Sequence, residues 1–365
     1  MASSMVTTLL PIFIIYVLNE GVDKLGIIIA VSTFVSYAFR ILFGYFSDKY
    51  QIVKPFVVIG YCISAVTKPL LYFSTSYLSV AILRSAERMG KAIRASSKDV
   101  LISSFVKNKE HGKTFGFHKM MDVSGEMLGA LSIFVVFMFY SQDVSSIRNI
   151  FAFTLIPSLV AVFIIITFVQ DKPYITNTTK PKESIVVNKQ DLQLLHILFI
   201  YFGFMFFLMS EQFFIVKAKE DGYDISMIPV FIIALTFTQS ITSYYSGVLT
   251  DKIGTFKSLV LSFMFAIISI AFIQVSLWVS FVFLGLFTVL SLNTMRIFIS
   301  SKAVSKGFVY GIFYGGVAVF SALGALAIGL IWETYGVDTV MAFSGIGMGV
   351  MLIILLVYEW FRGNS

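Results

Sequence analysis

The chain has 365 residues, of which 58% are hydrophobic and only 13% charged, and its mean hydropathy is +0.89. Soluble domains keep roughly a quarter of their residues charged, so this balance excludes a water-soluble globular domain and makes lipid the main solvent. The formal net charge of +7 falls between apolar runs rather than in one patch, which implies no nucleic-acid partner, and the single cysteine, Cys62, excludes a disulfide framework or a cysteine-held metal.

Apolar runs occur at 6–18, 25–46, 55–73, 77–104, 114–140 and 149–169, then at 192–216, 228–250, 258–274, 278–300, 308–332 and 337–361. About 20 residues of helix cross the hydrocarbon layer, so these runs predict an all-α membrane protein of twelve spans. The first run is short and has neither a basic n-region nor a cleavage-site pattern, so no signal peptide is expected there. It predicts a chain that begins inside its first helix, with little of it on the cytoplasmic side.

Lys and Arg set the orientation. Alternate loops carry Lys49 and Lys54; Lys107, Lys109 and Lys113; Lys172, Lys180, Lys182 and Lys189; Lys252 and Lys257; Lys302 and Lys306; and finally Arg362. The opposite loops hold only Lys24, Arg148, Lys217 and Lys219. The positive-inside rule places the first set, and the C-terminus, in the cytoplasm of a multi-pass inner-membrane protein. Residues 170–191 form a polar stretch rich in Lys, Thr, Asn and Pro, read as a cytoplasmic linker between six-span halves at 1–169 and 192–365.

The halves repeat one another. Gly44, Asp48, Lys49 and Lys54 recur at one constant offset as Gly247, Asp251, Lys252 and Lys257. Phe115-Gly116 and Leu128-Gly129-Ala130-Leu131 recur at a second constant offset as Tyr310-Gly311 and Leu323-Gly324-Ala325-Leu326. Two matches in the same order, each at the same place in its half, indicate duplication, and two repeated membrane halves around a central path are a recurrent transporter design.

The Gly-x-x-x-Asp-Lys pattern between spans 2 and 3, with its weaker copy between spans 8 and 9, resembles the loop signature of the major facilitator superfamily. Arg88-Met-Gly90-Lys91-Ala-Ile-Arg94 through Lys98-Asp99, Gly112 to Asp122, Lys68-Pro69, and Leu330 to Gly336 resemble a prokaryotic branch of that family with largely unassigned substrates. The similarity covers nearly the whole chain; Gln51 stands where the signature usually has Gly, and the following basic residue comes one position late. The resemblance implies two pseudo-symmetric six-helix halves. In the signature itself, Gly44 permits close helix approach, and Asp48 can pair with a cation or cap a helix start. Gly44, Asp48, Lys49, Asp251 and Lys252 are therefore candidate gating residues, although Lys49 serves equally well as a topology charge.

Span 4 is the most informative segment. Arg84, Glu87, Arg88, Lys91, Arg94, Lys98 and Asp99 fall within an arc of about 140° at ~100° per residue. Charges at mid-membrane cost at least ~2.5 kcal/mol each, so this arc must face a polar interior. Span 5 carries His118, Asp122 and Glu126 at helical spacing, with Gly125 and Gly129 close to the same face. Spans 2 to 5 hold Arg40, Lys68, Arg84, Arg88, Lys91, Arg94, Lys98 and Lys119 against Glu87, Asp99, Asp122 and Glu126, an excess of cations that an anionic solute could occupy. Arg84, Arg88 and Lys91, with Asn293 and Arg296 of span 10, are the candidate solute-binding residues. Glu87, His118, Asp122, Glu126 and Glu211 are candidates for proton coupling, and Arg94, Lys98 and Asp99 for gating. The expected solute site lies between the charged faces of spans 4 and 5 and the aromatic face of spans 10 and 11. A second reading stays open, in which these charges form a satisfied network between spans 4 and 5 with no solute role.

The leading functional reading is secondary transport by alternating access of a small anionic or amphipathic organic solute, coupled to protons. The alternatives are an uncoupled exporter or facilitator of a drug or metabolite, and a non-transporting membrane sensor. No Gly-x-x-x-x-Gly-Lys-Ser/Thr loop supports ATP-driven pumping, and three scattered histidines, His111, His118 and His196, support neither an enzyme nor a metal site. The partners read from the sequence are thus a solute, protons and the bilayer, with no cofactor and a monomeric chain.

Overall fold

The computed structural model describes residues 1–50, 54–104, 111–140, 142–170, 189–304 and 306–363; inside its helices the side chains at 41, 44–50, 96–97, 99–104, 111–120, 189–190, 306–308 and 362–363 lie outside that description. In the first half the helices are α1 (Ala2–Ile12, continued by a π turn at Phe13–Val17), α2 (Val22–Tyr50), α3 (Lys54–Leu70), α4 (Tyr77–Ser104), α5 (His111–Phe139), α6 (Val144–Phe153) and α7 (Leu155–Phe168). The second half contains α8 (Lys189–Phe207), α9 (Glu211–Glu220), α10 (Ile228–Ile253), α11 (Thr255–Ala271), α12 (Leu277–Lys302), α13 (Lys306–Tyr335) and α14 (Val337–Gly363). Among the described residues, nine helical stretches are long and apolar enough to cross a membrane, and Ala2–Val17 and Thr255–Ala271 are apolar but shorter. The twelfth expected span is α4, long enough to cross but carrying the charged arc. The chain is an all-α membrane protein of twelve spans.

Two spans are broken where the sequence reading had single runs. The sixth divides at Thr154 between α6 and α7. Pro157 has no N–H to offer the Phe153 carbonyl one turn back, and its ring crowds that carbonyl, so the helix restarts. The seventh breaks over Leu208, Met209 and Ser210, and Ser210 in extended conformation opens α9. Pro11 in α1 precedes the π turn by the same logic of a missing donor.

The chain folds as two compact units, Met1–Pro181 with Asp224–Val230, and Lys182–Tyr223 with Phe231–Ser365. In the first, α4 packs along α2 and α3 while α1 lies on α5. Gly60 and Gly90 bring α3 and α4 into backbone contact: a Cβ on Gly60 would meet the Gly90 carbonyl oxygen at 2.5 Å. In the second, α8 packs on α13 and α14, and α11 on α12. Its core is aromatic: Phe204 stacks on Phe263 with ring centroids 3.7 Å apart, and Phe231 on Phe281 at 5.2 Å.

Candidate functional site

The charged arc of α4 is anchored by α1. Arg84 and Glu87 are 2% and 3% exposed and form an ion pair one turn apart on α4. Arg84 also donates to the Thr7 hydroxyl at 2.7 Å, and the Ser3 hydroxyl donates to the other Glu87 carboxylate oxygen at 3.1 Å. Thr7 in turn donates to the Ser3 carbonyl at 2.9 Å, so the first turns of α1 complete a closed polar network around the pair. A buried ion pair is tolerated only when its remaining donors and acceptors are satisfied, and these α1 hydroxyls do that. Ser3 and Thr7 did not stand out in the sequence, where Ser4 and Thr8 form a second hydroxyl pair at the same i, i+4 spacing.

One helical turn further, α4 opens onto a cavity of about 300 Å3. Lys68 of α3 and Lys91, Arg94 and Lys98 of α4 line it together with Asp122 and Glu126 of α5. The start of α1, Met1–Ser4, and Pro157 and Ser158 of α7 complete the wall. Arg94 donates to the Ser64 hydroxyl at 3.0 Å and the Gly60 carbonyl at 3.3 Å, and its guanidinium lies over the Tyr61 ring at 4.1 Å. It is thereby pre-oriented by α3. Lys98 reaches Asp122 at 3.5 Å, a half-open pair with the carboxylate 50% exposed. Lys68 is buried at 4% exposure, beneath this rim. The Ser4 hydroxyl donates to the Glu126 backbone carbonyl at 2.8 Å, leaving the Glu126 carboxylate for the cavity wall.

The expected site residues thus separate into groups. Lys91, Arg94, Lys98, Asp122 and Glu126 share one cavity wall, whereas Arg84 and Glu87 sit in the buried network behind it and Arg88, half-buried, is not part of that wall. The side chains of Gly44, Asp48, Lys49, Asp99 and His118 lie outside the described residues. In the second unit, Asn293 donates to the Ser246 hydroxyl at 2.6 Å and the Ser243 carbonyl at 3.3 Å, tying α12 to α10. Arg296 is exposed, and its Nε donates to the Tyr314 hydroxyl at 3.0 Å. Glu211 lies in the first turn of α9, just after the break in the seventh span, and Asp251 and Lys252 are exposed at the end of α10. Among the described residues, no group of three or more His, Cys, Asp or Glu could hold a metal ion.

A family model described as the Major Facilitator Superfamily matches residues 1–325. An uncharacterised MFS-type transporter of Methanocaldococcus jannaschii is 31% identical over 353 residues, covering 91% of this chain and 85% of that protein. A mutant of the nucleoside transporter NupG superposes with a TM-score of 0.82 at 12% identity, covering 98% of this chain and 96% of that one. The xylose transporter XylE from E. coli, inward open, gives 0.72 at 13% identity, with 97% and 91% covered. A bacterial homologue of the human lysosomal transporter Spinster gives 0.70 at 13% identity, with 100% and 93% covered. At these identities the solved structures speak for the fold.

Proposed function

The chain belongs to the major facilitator superfamily, a family of membrane transporters, and from that premise we propose that it carries a small organic anion across the cytoplasmic membrane by alternating access, coupled to protons. The observation that carries this reading is the wall of the first unit's cavity, where Lys68, Lys91, Arg94 and Lys98 outnumber Asp122 and Glu126. Four cations around two carboxylates leave a positive excess, which an anion relieves with charge-assisted hydrogen bonds. Arg94, held by Ser64, Gly60 and Tyr61, loses little freedom on binding.

Proton coupling needs a group whose protonation changes as the solute arrives. Asp122 and Glu126 share the wall with the cations, so an incoming anion competes for the same positive charge and favours their protonated forms. Arg84 and Glu87, by contrast, are the fixed support, with Arg88 beside them on the same arc. Gly44, Asp48 and Lys49, with Gly247, Asp251 and Lys252, are proposed as the cytoplasmic gate, and the C-terminus as cytoplasmic.

The test uses the purified full chain. Organic anions are screened for thermal stabilisation in detergent, and uptake is followed in proteoliposomes under an imposed pH gradient. Lys91→Gln is expected to weaken anion binding about tenfold, the scale of one charge-assisted contact, with the protein still folded. Glu126→Gln is expected to keep binding and lose the dependence of uptake on the pH gradient. Unchanged binding in both Lys91→Gln and Arg94→Gln would refute the assignment.

A further inference from the structure

Two tyrosines and an arginine on α12 and α13 form a cluster that the cavity of the first unit does not use. Tyr310 and Tyr314, one turn apart on α13, stack with ring centroids 6.2 Å apart and an interplanar angle of 18°. The Tyr310 hydroxyl donates to the Arg296 backbone carbonyl at 2.9 Å, and Arg296 Nε donates to the Tyr314 hydroxyl at 3.0 Å. Tyr314 is braced from behind by Phe313 at 5.0 Å, itself 1% exposed and packed on Tyr201 at 5.6 Å. The guanidinium is therefore fixed through Nε, while its two terminal nitrogens have no partner among the described residues and the side chain is exposed. On α13 itself, a Cβ built on Gly311 or Gly315 meets nothing within 4 Å.

Arg296 lies less than two turns from the end of α12, where an arginine can reach the aqueous interface, and its charge is not matched by a carboxylate among the described residues. What is matched is orientation. The fork presents two parallel N–H donors, the geometry that suits a carboxylate or phosphate, next to two parallel aromatic faces. We propose that Arg296, Tyr310 and Tyr314 form a recognition platform for a planar, aromatic organic anion, its carboxylate on the Arg296 fork and its ring against the stacked tyrosines. The platform is a second anion site, in the other unit, and the inference rests on the anion-transport reading.

The full chain in detergent is titrated with benzoate, with cyclohexanecarboxylate (same charge, no planar ring) and with benzamide (same ring, no charge), following its melting temperature. Benzoate is expected to bind about three- to tenfold tighter than cyclohexanecarboxylate, the range one aromatic contact supplies, and benzamide to give no shift. Arg296→Gln is expected to weaken both acids about tenfold or more, and Arg296→Lys to fall between, since an ammonium keeps the charge and loses the fork. Tyr314→Leu, or Tyr310→Leu should the first not fold, is expected to abolish the preference for benzoate while cyclohexanecarboxylate still binds. Equal affinity for the two acids in the wild type, or unchanged binding in Arg296→Gln, overturns the platform. So does stabilisation by phosphatidylglycerol alone that Arg296→Gln removes, which would make it a lipid headgroup site. If both acids bind and only Lys91→Gln loses them, the anion reading stands and this inference falls; if no acid binds the wild type, both fall.

Discussion

The repeated Leu-Gly-Ala-Leu segment sits at equivalent places in the two units and does the same mechanical work in each, yet the chemistry around it has diverged. In the first unit a Cβ on Gly129 would meet the Met1 carbonyl oxygen at 2.5 Å; in the second, one on Gly324 would meet the Phe206 carbonyl oxygen at 2.1 Å. Each glycine lets the first helix of its half lie directly on the fifth. Beyond that contact the first unit places Ser3, Thr7, Arg84 and Glu87, all hydrogen-bonded, and the second places Phe202, Phe204, Tyr201 and Phe313. The duplicated scaffold constrains the backbone approach, where a methyl group already clashes. The side chains on the neighbouring faces are free to become a charged wall in one half and an aromatic wall in the other.

Four measurements would break or sharpen that contrast. The largest effect is expected for Glu87→Gln, which leaves the buried Arg84 charge without a carboxylate partner; breaking one side of such a pair costs about 3–5 kcal/mol, read as a large fall in melting temperature. The double variant Arg84→Met with Glu87→Met should recover much of it, and failure to recover would show that the pair is held for more than mutual neutralisation. Gly324→Ala comes next, with about 1–3 kcal/mol of overpacking against the Phe206 backbone, and Gly129→Ala should behave alike if the two glycines are mechanical equivalents. A neutral Gly324→Ala would remove the equivalence. In the aromatic unit, Tyr201→Phe deletes the buried hydrogen bond to Ser291, 3.3 Å long, for about 1 kcal/mol. The smallest effect on stability belongs to Asp122→Asn. Its pair with Lys98 is half-open, so about 0.2–1 kcal/mol is expected, while uptake driven by a pH gradient should change far more. A stability loss as large as that of Glu87→Gln would place Asp122 in the structural network.

Much of the fold was legible because the bilayer imposes a length on every apolar run, and a charged arc inside such a run has one physical solution, a polar interior. The signature loop shows where legibility stops. Gly254, at the turn between α10 and α11, has φ of +85°, a conformation that side-chain-bearing residues rarely adopt. Its counterpart in the first half is Gln51, which lies outside the described residues. The sequence reveals the departure without showing how the backbone absorbs it. The broken sixth and seventh spans were not legible in hydropathy either: Pro157 sits inside one apolar run, and Ser210 with Glu211 and Gln212 interrupts another too briefly to divide it.

The candidate site divides in the same way. Which residues carry charge, and that they share a helical face, follow from spacing alone, because an α-helix fixes the angle between residues. Which cation is spent on a partner and which remains for a ligand depends on neighbours distant in sequence. Arg84 and Arg94 look alike along α4, yet α1 closes Arg84 into a buried network with Thr7 and Glu87, while α3 orients Arg94 into a cavity wall. Arg296 gains its orientation from a tyrosine on the next helix, and that pairing is likewise invisible in the text. Membrane residence, the twelve spans, the duplication and the family resemblance were written in the sequence, since lipid acts on composition and helical period. The division of the charges into a buried network and a cavity wall was decided only by tertiary packing, because hydrogen bonds and desolvation act over a few ångströms between helices that the sequence does not order in space.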